Sequence, residues 1–363
     1  MDSIGSAGNF AILRRGSTDG KFRGEASSSD GDISFMKSEI GATMATLTVR
    51  RILWFWAAAC GLGWGMFSAA TEVPSALIAE QPASEFPAEL SHWEPSAQNP
   101  VFTAAGPGHW DEKIRERGWI LKEDDTWSLW YTGYDGTKTG QRKLGYATST
   151  DGLTWTRFAQ HPIVDELWVE DVHVQKVGDI YYMFAEGLND QAQLLLSKDK
   201  IHWKPQGTLD IRYTNGKPLT SGPFGTPTAY HEDGTWYLFY ERSDQGIWLA
   251  KSRDLKVWNH VQDTPVIALG TDRYDSKMIA INQVVKLRGK YYAIYHGSGS
   301  EEKPSLWTTN LAVSNDLIHW KKYPGNPLRP ESENKSSGLL VHDGKQFRLY
   351  TMHDKVQVHF QKK

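Results

Sequence analysis

Cysteine is almost missing from this chain: Cys60 is the single one in 363 residues. That excludes a disulfide framework and a cysteine zinc cluster. Concentrated charge is also missing. The 40 lysines and arginines stand against 43 acids, a net charge of -3, and basic residues nowhere run beyond adjacent pairs such as Arg50-Arg51. The electrostatic footprint of a nucleic-acid-binding protein is therefore absent. There is no GxSxG elbow, no HExxH and no glycine-rich phosphate loop leading into a helix, which removes three common chemistries. No cofactor or catalytic metal is expected, and only a structural calcium is left open.

Long hydrophobic runs are missing too, apart from one. Residues 1–43 are rich in Ser, Gly and Asp and read as disordered, or as lying before the true start at Met44. The positive stretch at Arg50-Arg51, the apolar run Ile52 to Ala70 and the small residues Ser68-Ala69-Ala70 have the order of a signal peptide, with a membrane anchor as the alternative. Residues 71–90 read as a linker, leaving 91–361 as one exported domain, periplasmic or extracellular.

Aromatic residues are abundant, with 16 Trp, 15 Tyr and 13 Phe. They favour packed sheets over helices. A Ser-x-Asp-x-x-x-Trp unit recurs at Ser149/Asp151/Trp155, Ser197/Asp199/Trp203, Ser252/Asp254/Trp258 and Ser314/Asp316/Trp320. Its serine and aspartate suit a hairpin turn, and its tryptophan opens the next strand. An aromatic strand precedes each unit: WSLWY, YYMF, WYLFY and YYAIY, with FRLY as a fifth. Four strands repeated five times predict an all-β, five-bladed β-propeller. The fifth repeat lacks an outer strand, and HWEPSAQNPV near the N-terminal end of the domain matches HWKKYPGNPL in the fourth repeat. An N-terminal strand is therefore expected to close the ring. An array of immunoglobulin-like sandwiches would not share a strand over such a distance.

Inner strands of a propeller line a central funnel, so carboxylates where they begin, or where aromatic strands end, are candidates for chemistry. Asp111 precedes the first inner strand, Glu170 and Asp171 sit on the second, and Asp275 precedes the fourth. Glu186, Glu241 and His296 end aromatic strands, and His353 lies near the end of the fifth. Burying Glu170 and Asp171 unpaired is costly, so each either meets a cation or faces a wet funnel. Asp111, Asp171, Glu241 and Asp275 are the catalytic candidates. Trp110, Glu170, His173, Glu186 and His296 are the substrate-binding ones. For Asp111 the competing reading is an ion pair with Arg115 or Arg117.

The hairpins LGYATSTDGLTW, LLLSKDKIHW, WLAKSRDLKVW and LAVSNDLIHW, with Asp111 and Asp171 opening two blades, resemble the five-bladed propellers of glycoside hydrolase families 32, 43, 117 and 130. The resemblance covers residues 90 to 360. It implies a carbohydrate substrate, with Asp111 as nucleophile or base and Asp171 as a stabilising or tuning residue. The third-blade acid of families 32 and 43 has no counterpart in GPFGTPTAY, which leaves Glu241, then Asp275, then His296 and Glu170 as proton donors. Hydrolysis of a glycosidic bond in an oligo- or polysaccharide is the resulting expectation. The alternatives are a non-catalytic carbohydrate-binding propeller and a phosphorylase, whose phosphate would fall to Arg115, Arg117, Arg212 or Arg273.

Overall fold

The computed structural model describes residues 85–219, 223–300 and 305–362. The expectations of disorder over 1–43, of a signal peptide or anchor over 44–70 and of a linker from 71, like Cys60, fall on residues outside the described ones up to residue 84. Five antiparallel sheets follow one another along the chain, each starting from an inner strand and stepping outward.

Blade 2 has the plain pattern: Glu170–Val177, Ile180–Gly187, Gln191–Ser197 and Lys204–Thr208. Blade 4 repeats it with Met278–Leu287, Lys290–Ser298, Thr308–Ser314 and Trp320–Lys322. Blade 1 begins with Lys113–Ile114 and Trp119–Glu123, both paired to Thr126–Tyr134. Blade 3 runs from Gly225–Glu232 to Val257–His260 and carries an addition the repeat did not foretell. Asp210–Arg212 lies parallel to Val257–His260, and it buries Leu209 and Ile211 in the cluster that holds Trp258.

The repeated turns explain the regularity. In all four, the serine hydroxyl donates to the aspartate Oδ1 at 2.9–3.1 Å, and the same Oδ1 accepts two backbone N–H groups beyond it. Each turn thereby satisfies its own amides. Hydrophobic clusters then weld neighbouring sheets. Phe184 and Leu194 meet Trp236 and Leu238 between blades 2 and 3. Phe239 and Leu249 meet Ile281 and Tyr295 between blades 3 and 4, and Ile294 and Leu311 meet Leu340 and Leu349 between blades 4 and 5. A larger cluster joins blade 1 to blades 2 and 5 through Trp127, Trp130, Met183 and Tyr350.

The ring closes as the sequence match predicts. Trp93–Pro95 and Phe102–Thr103 both pair with Lys355–Gln361, completing the sheet of Gly338–His342 and Phe347–Met352. The matched asparagines act alike. Asn99 donates to the Val358 carbonyl and accepts its N–H, both at 2.8 Å. Asn326 makes the same two bonds to Leu311 at 3.0 and 2.9 Å.

One irregularity recurs at the level of the funnel. In blades 2 and 3 the register slips so that two residues, Asp171 and Val172 or Thr226 and Pro227, oppose one. Blade 4 slips between Ile281 and Gln283. Arg117, Asp171, Thr226 and Ser337 carry φ of 57°, 51°, 50° and 56°, which is unusual for residues with a Cβ. Such bulges re-aim side chains and store backbone strain at functional sites.

Candidate active site

At the bulges of blades 2 and 3 a cavity of about 420 Å³ opens. It is lined by Glu116, Asp171, Glu186, Asp190, Glu241 and Asp244, together with Arg115, Thr226, His296 and Trp307. Six carboxyls thus converge on one pocket of ligand size. A cavity of about 460 Å³ on the outer strands of blade 3 gathers only Asp254 among the acids, and that residue is engaged in its turn.

Local backbone places the acids. Glu186 and Glu241 end their aromatic strands at equivalent positions, opposite Glu170 and Gly225. Gly225 lies between them, and a Cβ there would overlap Glu186 Oε2 and Glu241 Oε1. The Thr226 N–H donates to Glu186 Oε2 at 2.8 Å. The Asp244 N–H donates to Glu241 Oε2 at 2.6 Å.

Their environments push their protonation apart. Burial raises the Asp171 carboxyl to about 8, against the pull of Arg117 and with a further push from Glu116 and Glu170. Its Oδ1 is buried without a protein partner, and its Oδ2 accepts from the Thr226 hydroxyl at 3.4 Å. Burial, then the charges of Asp171 and Glu170, hold Glu186 well above the usual range. Burial also raises Glu241, which the Asp244 N–H opposes, and lifts Asp244 to about 7 with Glu241 adding its charge. Glu116 goes the other way. Burial works against its ionisation, but the His353 hydrogen bond and the Arg115 charge bring it down to about 2. His353 Nδ1 is 3.5 Å from Glu116 and 2.8 Å from the Ser336 hydroxyl, so the pair bridges the first and last blades. Burial lowers His296 to about 4, and its Nδ1 is held by the Asn282 amide at 3.0 Å.

Arg117 lies wholly buried, donating to the Pro227 carbonyl at 2.9 Å and the Thr228 hydroxyl at 2.5 Å. Burial lowers it to about 10, opposed by the charges of Asp171, Glu186 and Glu241. It is a cation packed behind the carboxyls and spanning blades 1 and 3.

The structure brings Asp171, Glu186, Glu241 and His296 together at this cavity. The other sequence candidates lie elsewhere. Asp111, 1% exposed, accepts from the Tyr131 hydroxyl at 3.2 Å and from Arg157 Nε at 2.8 Å, away from the pocket and without Arg115 or Arg117. Asp275 repeats this with Tyr295 at 3.2 Å and Lys322 at 2.6 Å. Both tie the loop before an inner strand to that blade's outer strand. Trp110 stacks on Tyr131, with ring centres 5.8 Å apart. Glu170 meets cations, Arg115 at 3.0 Å and Arg142 at 3.5 Å, and accepts from Trp168 Nε1 at 2.8 Å. His173 is buried against Trp119 at 4.1 Å, and burial keeps it neutral. Of the paired acids, Glu170 takes the ion pair and Asp171 takes the cavity.

Glu116, Asp244 and Trp307 were not singled out from sequence, and Asp190 reads there as a solvated surface acid. A signal for two of them exists. Glu186 is followed by Asp190-Gln191 and Glu241 by Asp244-Gln245, and both aspartates adopt the left-handed region at φ 54° and 56°.

No protein-family model matches the chain. An uncharacterized protein of Mycobacterium tuberculosis is 25% identical over 219 residues, 55% of this chain and 72% of that one. A 1,2-β-oligomannan phosphorylase of Thermoanaerobacter sp. is 26% identical over 170 residues, 43% of this chain and 53% of the enzyme. A β-1,2-mannobiose phosphorylase of the same organism is 24% identical over 269 residues, covering 67% and 85%. Among solved structures, a glycosyl hydrolase from Bacteroides ovatus superposes with a TM-score of 0.62 at 16% identity, over 74% of this chain and 92% of that one. A second structure comes from work on family 130 mannoside phosphorylases and the glycoside hydrolases among them that target β-1,2-mannosidic linkages. It gives a TM-score of 0.62 at 17% identity, over 74% and 93%. The fold is a five-bladed β-propeller, the architecture shared by these solved structures. Within it, the chain resembles glycoside hydrolases and phosphorylases of the family 130 kind.

Proposed function

We propose that this protein hydrolyses a glycosidic bond, with β-linked mannosides as the first substrates to examine. The observation that carries the reading is the cavity lining: six carboxyls, one of them held protonated, and a single arginine already engaged. Asp171 is the proton donor to the leaving oxygen, because its carboxyl keeps its proton at neutral pH. Glu241 is the base. The Asp244 N–H favours its charged form, and its raised basicity suits removal of a proton from water as that water attacks the anomeric carbon. The water's oxygen then bonds to that carbon, the glycosidic C–O bond breaks, and the Asp171 proton leaves on the departing hydroxyl. Glu116, ionised beside Arg115, supplies fixed negative charge to the oxocarbenium-like transition state. This departs from the sequence reading, which ranked Glu241 first as donor and gave Asp171 a stabilising or tuning role.

Phosphorolysis, the activity named for two relatives, is disfavoured by the same lining. Among the described residues, Arg115 is paired with Glu170 and Glu116, Arg117 is buried, Arg212 binds Asp210 at 2.6 Å and Arg273 binds Glu331 at 3.0 Å. A phosphate dianion entering beside ionised Glu116 would meet repulsion, with no unpaired arginine among the described lining residues. The experiment is incubation with β-1,2-mannobiose with and without inorganic phosphate. Free mannose formed at equal rates in both supports hydrolysis. Mannose 1-phosphate formed only with phosphate supports phosphorolysis, and binding without turnover supports a carbohydrate-binding module.

A further inference from the structure

We propose that Trp307 and His296 form a stacking wall that receives the apolar face of a β-linked hexopyranoside, whose hydroxyl edge then turns to Glu186 and Glu241. This rests on the glycoside reading of the cavity and adds the group that recognises the sugar ring and its anomeric form.

Trp307 and Trp168 are the two described tryptophans that join none of the hydrophobic clusters; Trp168 is taken up by Glu170 and Arg142, whereas Trp307 stays half-buried on the cavity wall. It is the only benzenoid ring among the described lining residues. Its position is fixed without core packing. The Trp307 backbone N–H donates to Asn334 Oδ1 at 2.8 Å, and Asn334, at φ 48°, ends the turn Glu331–Glu333. That turn is itself tied down by Arg273 to Glu331 at 3.0 Å and by Arg329 to Glu333 at 2.5 Å. His296 meets the indole edge-on, with ring centres 5.1 Å apart at 78°, and the Asn282 amide fixes the imidazole from behind.

An apolar ring held rigid at one side of an acid-lined pocket divides the work of sugar recognition. Carboxyls accept hydrogen bonds from hydroxyls, while an aromatic face covers carbon-bound hydrogens. A β-linked D-hexopyranoside in its chair carries axial hydrogens on C1, C3 and C5 of one face, and the α anomer loses the first of these. The wall therefore favours β over α linkage.

The test uses the full chain carrying Asp171→Asn, to prevent turnover, with β-1,2-mannobiose and the methyl α- and β-mannosides as probes. Titration calorimetry and saturation-transfer NMR read affinity and the contacted hydrogens. The expected result is saturation strongest at H1, H3 and H5 of the β anomer. Adding Trp307→Ala weakens binding by about tenfold to a hundredfold, the scale of losing one ring's contact area. Adding Trp307→Phe costs about threefold or less, which separates stacking from misfolding. Equal affinity with and without Trp307→Ala, or equal affinity for the two anomers, overturns the wall while leaving the glycoside reading intact. No binding of any of the three sugars to the Asp171→Asn protein at millimolar concentration overturns both.

Discussion

Asp111 and Asp275 are the same residue of two different blades. Each accepts a tyrosine hydroxyl at 3.2 Å from exactly twenty positions on, Tyr131 and Tyr295, and each receives a cation from its blade's outer strand, Arg157 and Lys322. Such a pairing holds the blade together. Asp111→Asn and Asp275→Asn should therefore each lower stability by about 2–4 kcal/mol, the scale of breaking a largely buried ion pair. Turnover per folded molecule should stay within about threefold. Urea unfolding together with active-site-normalised rates checks this. A loss of two or more orders of magnitude in turnover with unchanged stability would return Asp111 to the chemistry.

Asp171 acts with its proton on and Glu241 with its proton off, so the rate should fall as pH rises through about 8 and fall again at acid pH as Glu241, raised by burial, takes up a proton. Arg117→Met removes the positive charge that draws this value down, and the falling limb should move to higher pH. Asp171→Asn should cost about 10²–10⁴ in turnover of mannobiose and far less with an activated aryl mannoside, whose leaving group needs little protonation. Equal losses on both substrates assign the donor elsewhere.

The same carboxyl makes a stability prediction of opposite direction. Unfolded, Asp171 releases its proton near pH 4; folded, it keeps the proton to about 8. Its contribution is fully present below the unfolded value and is lost as pH rises toward 8, because folding must take up a proton that becomes scarcer. Asparagine has no such dependence. Asp171→Asn should melt at or above the parent temperature, with the gap widening between pH 5 and 8, as measured by calorimetry across that range.

Gly225→Ala tests the two glutamates jointly. The added methyl overlaps both carboxyls, which must move apart, while the backbone there has no left-handed requirement. The protein should fold and lose about a hundredfold in turnover, the scale of a displacement near 1 Å at a reacting group. Full activity of a folded Gly225→Ala protein would mean that neither carboxyl takes part.

The architecture was legible because it repeats. Ser-x-Asp-x-x-x-Trp encodes a turn chemistry that needs no tertiary partner, and the Asn99 and Asn326 segments carry the same clamp, so spacing alone ordered the strands. The site was only half legible. Glu186, Glu241 and His296 came from aligning strand ends, a regular feature. Glu116 stayed hidden because it lies between Lys113–Ile114 and Trp119–Glu123, where neither an inner strand begins nor an aromatic strand ends. Asp111 lies off the cavity because opening an inner strand does not decide which way a side chain turns. Bulges break the two-residue alternation at the level where facing matters most.

The bridge from Glu116 to His353 joins parts of the chain that are distant in sequence, across the same junction of first and last blades that Trp93–Pro95 closes on Lys355–Gln361. Blades 1 to 4 can stack earlier through contacts between successive segments, but the cavity's anionic wall has its histidine partner only after the last seam is sealed. Partly assembled rings would thus have much of their hydrophobic welding in place with an incomplete pocket. The shape of the pocket depends on circular closure, through a seam none of whose strands lines it.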